Sequence, residues 1–168
     1  DKFSDLVGIA GDTVFWIEAL DEKVTSWKAW PVAKVAQGGR TQGYIAAKLI
    51  PGEKPQLIFT RGKNHLYVLE IPTDPTTNPW PLDLISKEAE EEGLAVGDIY
   101  RDGDLDIATV KADGQHAIWL ENPGMLSVNW QSHLIGETQP WMDRVALADL
   151  DGDGKLDLIN TVERQDGM

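Results

Sequence analysis

The chain has 168 residues, 42% of them hydrophobic, and its charges are scattered between apolar stretches, which is the composition of a globular protein with a core. A formal net charge of −13 argues against nucleic acid and against an acidic membrane surface as partners, since both are held by clustered Lys and Arg. There is no cysteine, which excludes disulfides and thiolate metal sites, and no apolar run approaches the roughly 20 residues that cross a bilayer, so no membrane insertion is expected.

Asp1-Lys2-Phe3-Ser4-Asp5 is neither a signal peptide nor an initiator methionine, which reads as a cut or processed start. Short runs rich in β-branched and aromatic residues then follow one another, separated by Gly, Pro, Asn and Asp. Strands are expected at 5–9, 13–18 and 32–36, followed by a connector over 37–43. A set of four comes next, at 44–48, 57–60, 65–70 and 82–86, with an extended loop over 72–81 that carries Pro72, Pro75, Pro79 and Pro81. Ser86-Lys87-Glu88-Ala89-Glu90-Glu91-Glu92 favours helix by propensity but lacks apolar spacing and stops at Gly93, so it reads as a solvated connector. A second set of four is expected at 94–98, 105–110, 115–120 and 132–136, and after a connector over 137–143 the last two strands fall at 144–148 and 157–162.

These runs repeat. Trp30, Trp80 and Trp130 are spaced by 50 residues, and Ala47-Lys48-Leu49 aligns with Gly97-Asp98-Ile99 and Ala148-Asp149-Leu150. Val14-Phe15-Trp16-Ile17-Glu18 recurs as Leu66-Tyr67-Val68-Leu69-Glu70 and Ala117-Ile118-Trp119-Leu120-Glu121. A period near 50 with four strands, A to D, in each unit is the signature of β-propeller blades. The fold class is therefore all-β, with a partial blade over 1–43 (strands B to D), complete blades over 44–93 and 94–143, and a partial blade over 144–168 (strands A and B). Propellers close with about four to eight blades, so the chain holds about three blades' worth of a ring completed by further blades, in cis or by oligomerisation. Trp16, Trp119 and the three spaced tryptophans are expected in the core.

The turn after the last strand A, Asp149-Leu150-Asp151-Gly152-Asp153-Gly154-Lys155-Leu156-Asp157, puts carboxylates at its first, third, fifth and ninth positions and Gly at its sixth. A hard cation that takes six to eight oxygens suits this pattern, with Asp149, Asp151, Asp153 and Asp157 as side-chain ligands and Lys155 offering its backbone carbonyl, and Ca2+ is the expected cofactor. An EF-hand would need Glu at the twelfth position, where Asn160 stands, and flanking helices in place of Val145-Ala146-Leu147 and Leu158-Ile159. Magnesium prefers rigid octahedral sites that keep their waters, and the competing bland reading is an unliganded Asp/Gly turn. The preceding turn keeps the frame with Asp98, Asp102, Asp104 (by its carbonyl) and Asp106, but Tyr100 takes the third position, so this second site is weaker. One copy earlier the frame reads Lys48, Ile50, Gly52, Lys54 and Gln56, where two lysines oppose a cation, and Asp5 falls at the ninth position of a still earlier copy.

Val96-Gly97-Asp98 through Leu105-Asp106-Ile107, Trp119-Leu120-Glu121-Asn122-Pro123-Gly124 and Ala148 through Ile159 resemble FG-GAP/VCBS repeat propellers. The resemblance implies an integrin-like propeller of about seven blades in which calcium braces the turn between strands A and B, in a secreted or cell-surface setting. It also implies a ligand face formed by the B–C turns and D–A connectors, on the rim opposite the metal turns. Arg40, Arg61, Trp141 and Arg144 are its candidate ligand contacts, with Lys63, Lys111, Gln139 and Asp143 nearby in the same loops. Trp141 could stack on a sugar ring or pack between blades. His65, His116 and His133 fall at unrelated repeat positions and make no catalytic motif. The expected function is that of an extracellular module binding a glycan or protein. The alternatives are a segment of a polysaccharide lyase or sugar dehydratase, and a structural spacer.

Overall fold

A computed structural model describes residues 4–52, 54–62, 64–126, 130–137 and 142–162. Among them there is no helix. The strands are β1 (Leu6–Ala10), β2 (Thr13–Ala19), β3 (Trp27–Lys34), β4 (Tyr44–Ala47), β5 (Gln56–Arg61), β6 (His65–Leu69), β7 (Leu82–Ser86), β8 (Ala89–Gly97), β9 (Asp106–Lys111), β10 (His116–Glu121), β11 (Gln131–Glu137), β12 (Met142–Ala148) and β13 (Asp157–Val162). They form four sheets, β1-β2-β3, β4-β5-β6-β7, β8-β9-β10-β11 and β12-β13, in which successive strands pair antiparallel.

Most strands lie within two residues of their expected places, and two differ by five. β3 starts at Trp27 instead of 32, and β8 starts at Ala89 instead of 94, so the glutamate-rich segment read as a connector is partly strand. Ala89 is fully buried and pairs with Lys111, while the N–H of Ala112 donates to the Glu88 carbonyl at 2.7 Å. Backbone pairing and one apolar anchor thereby override the helix preference of the glutamates, which are accommodated by a register shift between Ala89 and Leu94.

In each of the first three sheets the outermost strand bulges at one residue: Val32, Ile85 and Ile135 each stand between partners of consecutive residues on the strand before. These bulges give the true repeat register, and they make Trp27, five residues before Val32, the equivalent of Trp80 and Trp130. Trp30 instead lies inside β3, opposite Trp16, so its spacing of 50 from Trp80 is not structural equivalence. The core expectation holds for Trp16, Trp80 and Trp130, whereas Trp30 and Trp119 are only half-buried.

Three buried clusters lie between successive sheets. Val14, Trp16 and Val32 meet Phe59, Tyr67, Leu69 and Trp80; Ile58, Leu66, Val68 and Ile85 meet Ile107 and Leu120; and Val110 and Ala117 meet Met142. The two middle sheets are thus covered on both faces. That is why β6 reads Leu66-Tyr67-Val68-Leu69 with every side chain buried, a continuous apolar run where a half-exposed strand would alternate.

The second, third and fourth sheets approach one another closely at glycines near their first strands, whereas β1 and β4 flank a cleft lined by Val7, Ile9, Tyr44 and Ile45. A Cβ added to Gly43 would lie 3.3 Å from the Glu92 carbonyl oxygen, and one added to Gly93 would lie 2.9 Å from that of Asp143. At the opposite edge Trp80 and Trp130 pack between the sheets, their indole N–H groups donating to the carbonyls of Pro75 (3.0 Å) and Met125 (3.3 Å), and the Trp80 backbone N–H donates to the Val32 carbonyl of the preceding sheet at 2.7 Å.

Candidate metal centre

The turn between β12 and β13 is shaped by its own carboxylates. Asp149 accepts the N–H groups of Gly152 (2.8 Å) and Gly154 (2.9 Å), Asp151 accepts that of Asp153 (3.1 Å), and Asp153 accepts that of Lys155 (2.8 Å). Gly152 and Gly154 sit at φ values of 79° and 82°, where a side chain would be strained, so the chain can fold back and point three carboxylates inward. One oxygen from each of Asp149, Asp151 and Asp153 lies within 4.8 Å of the others, and all three residues are exposed. Oxygens sharing one calcium at about 2.3–2.6 Å can be no more than about 5 Å apart, so this all-oxygen set fits a calcium ion. Among the described residues it is the only such group of three.

The charge on this turn is partly balanced. The Lys155 ammonium lies 3.1 Å from Asp153 Oδ2. Hydrogen bonding from the Lys155 backbone and side chain, helped by the Arg101 guanidinium, holds the Asp153 carboxyl below the usual range.

The turn between β8 and β9 has a similar frame with different contents. Asp98 accepts the N–H groups of Asp102 (3.1 Å) and Gly103 (3.2 Å), and Asp102 accepts that of Asp104 (3.0 Å). The third-position side chain, Tyr100, turns away to stack on Trp119, with centroids 6.0 Å apart. Asp106, named from the sequence as a metal ligand, is buried and accepts three backbone N–H groups, from Ile99 (2.9 Å), Tyr100 (3.1 Å) and Asn122 (3.0 Å). The family model for an FG-GAP-like repeat matches residues 98–159, from the first residue of this turn to the second strand of the last hairpin. This stretch is similar to an FG-GAP-like repeat. No curated protein and no solved structure matches the chain.

Within and before the matched stretch, the ninth turn position has one recurrent role as a backbone acceptor. Asp157 accepts the N–H of Leu150 at 2.9 Å, and Gln56 accepts those of Leu49 (2.8 Å) and Ile50 (3.3 Å). Asp5 accepts the Ala19 N–H and the Trp16 indole N–H, each at 3.0 Å. A neutral amide fills the position in the turn that lacks acidic ligands, so bracing the hairpin does not require a charge. Asn122 extends the brace, donating to the carbonyls of Leu49 (2.6 Å) and Leu105 (3.0 Å) and so tying the second sheet to the third. Sequence reasoning missed this tie, although the Asn122-Pro123-Gly124 turn was visible; its donor reaches a carbonyl 73 residues away.

The expected ligand rim is only partly open. Arg61 is buried, and its guanidinium donates to the carbonyls of Gly11 and Ala36, so it ties the first two sheets together and does not face outward as a ligand contact. Arg40 is exposed, and its carbonyl accepts the Gly62 N–H at 2.8 Å. Arg144 is exposed and lies 3.5 Å from Glu92 and 3.8 Å from Asp143. Trp141, Lys63 and Gln139 lie outside the described residues. Each histidine has a local partner: His65 stacks on Tyr67, His116 contacts Asp113 at 2.7 Å, and His133 stacks on Trp119 and contacts Glu121 at 2.7 Å. Trp30 repeats that last arrangement in the first sheet, stacking on Trp16 and donating to Glu18 at 2.9 Å.

Proposed function

We propose that the chain is a calcium-binding segment of a β-propeller, in which the ion braces the turn between β12 and β13. The observation that carries this reading is the convergence of Asp149, Asp151 and Asp153 on one point, in a turn whose glycines allow it. Asp157 and the Lys155 carbonyl would complete the shell. The turn at 98–106 would bind more weakly, because Tyr100 and the buried Asp106 leave fewer carboxylates for an ion. The succession of antiparallel sheets and the buried clusters between them support a radial stack, which further blades would close into a ring of about seven.

Calcium is expected to raise the melting temperature by binding the folded form. At ten times the dissociation constant the gain is about 1.4 kcal/mol, and extracellular modules bind at about 10⁻⁴–10⁻³ M, so the titration belongs in the millimolar range. Asp153→Ala should remove most of the shift and magnesium should reproduce little of it. An equal calcium shift in the variant would refute the site. Such weak binding suits an extracellular or cell-surface protein, and Arg40 and Arg144 on the opposite rim support contact with an acidic glycan or protein. Glycan-array binding that survives Arg40→Ala with Arg144→Ala would refute that part.

A further inference from the structure

Arg101 holds the fourth position of the 98–106 turn with φ 64°, and the same position of the 149–157 turn is Gly152 with φ 79°. The backbone there demands a left-handed residue, and glycine meets that demand without strain. A long cationic side chain at such a site points to a role for the side chain. Arg101 reaches the neighbouring turn: its Nη2 lies 3.7 Å from where a Cβ on Gly154 would stand, directly beside Asp153. Lys155 supplies one counter-charge to Asp153 from within the turn, and Arg101 brings a second cation to the same turn from the adjacent sheet.

We propose that Arg101 is a cross-turn counter-cation that screens the acidic turn 149–157 and competes with a divalent ion for Asp153. The contact itself needs no metal, while the competition rests on the calcium reading above. Without an ion, Arg101 offsets the mutual repulsion of Asp149, Asp151 and Asp153 and helps hold the last hairpin to the third sheet. An arriving ion must displace its influence, so the arginine lowers the affinity of that turn and makes it depend on ionic strength.

The test uses Arg101→Gly, Asp153→Ala and the double variant. Unfolding free energies in chelator at low salt should be non-additive, with a coupling that shrinks as salt is added; the relief of backbone strain by glycine enters both arms of the cycle and cancels. Calcium titration by calorimetry should show Arg101→Gly binding about three- to tenfold more tightly than the unsubstituted chain, the range expected for removing one nearby solvated charge. Arg101→Asn, which also tolerates left-handed backbone, should repeat both results if the glycine loosens the turn. Additive effects in chelator would overturn the contact, and unchanged calcium affinity alongside intact coupling would overturn the competition. Coupling in a chain that binds no calcium at several millimolar would sink the calcium reading and leave the contact standing.

Discussion

Asp106→Ala should lower unfolding free energy by about 3–5 kcal/mol, measured by urea denaturation in chelator. The carboxylate is buried, and removing it strands the N–H groups of Tyr100 and Asn122 at once, while that of Ile99 keeps the Gly97 carbonyl at 3.0 Å. A stranded buried donor costs about 1–3 kcal/mol, with some relief from water at the half-exposed turn. Asp106→Asn should be milder, near 1–2 kcal/mol, because an amide oxygen can still accept from Ile99 and Tyr100 as Gln56 accepts from Leu49 and Ile50, while its NH2 opposes the Asn122 donor. Equal losses for Ala and Asn would mean that charge, and not hydrogen bonding, is what the site needs.

Acid titration separates the same two roles. Burial pushes the Asp106 carboxyl above its ordinary value of 3.8, against the pull of its three N–H donors. A group whose folded value is raised binds its proton more tightly when folded, so its contribution favours the folded state below 3.8 and is lost as pH rises through the raised value. Asp106→Asn should therefore flatten the stability profile over that window, and an unchanged slope would place the proton elsewhere.

Strand positions were legible because each is a short apolar run bounded by turn residues, and the all-β class follows from their number and spacing. The β8 start was not, because Glu88 and Glu90 carry no strand preference and only tertiary pairing with Lys111 and Ala112 makes that segment extended. A bulge hid the register of the first repeat: three tryptophans at equal spacing pointed to Trp30, while the bulged Val32 makes Trp27 the counterpart. The acidic turn at 149–157 could be read residue by residue, since its ligands and glycines are contiguous. Asp106 shows the limit of that method. Its pattern position matches a ligand, but burial and three backbone donors decide its role, and the burial and the Asn122 donor both come from outside those nine residues. The same holds for Arg61, which reads as an exposed turn cation until the Gly11 and Ala36 carbonyls close around it.

Gly93→Ala should cost about 2–3 kcal/mol or more, because it pushes apart the two sheets that carry the acidic turns. The added Cβ would stand 2.6 Å from Val110 Cγ2, 3.2 Å from Val110 Cβ and 2.9 Å from the Asp143 carbonyl oxygen. Valine is stiff about its first side-chain torsion and the carbonyl belongs to β12, so neither can swing clear. Gly97→Ala provides the contrast. Its nearest neighbours are the Leu156 Cδ1 at 2.6 Å and the Leu147 Cδ1 at 3.2 Å, both ends of flexible side chains that can rotate, so the expected loss is nearer 1 kcal/mol. The Gly93→Ala loss should be nearly the same with and without millimolar calcium, because the bonds that shape turn 149–157 close within the β12–β13 hairpin and only the Arg101 contact links docking to the ion. A loss confined to the calcium-free form would mean instead that the ion holds the sheets together, and that the turn and the packing of the sheets act as one unit.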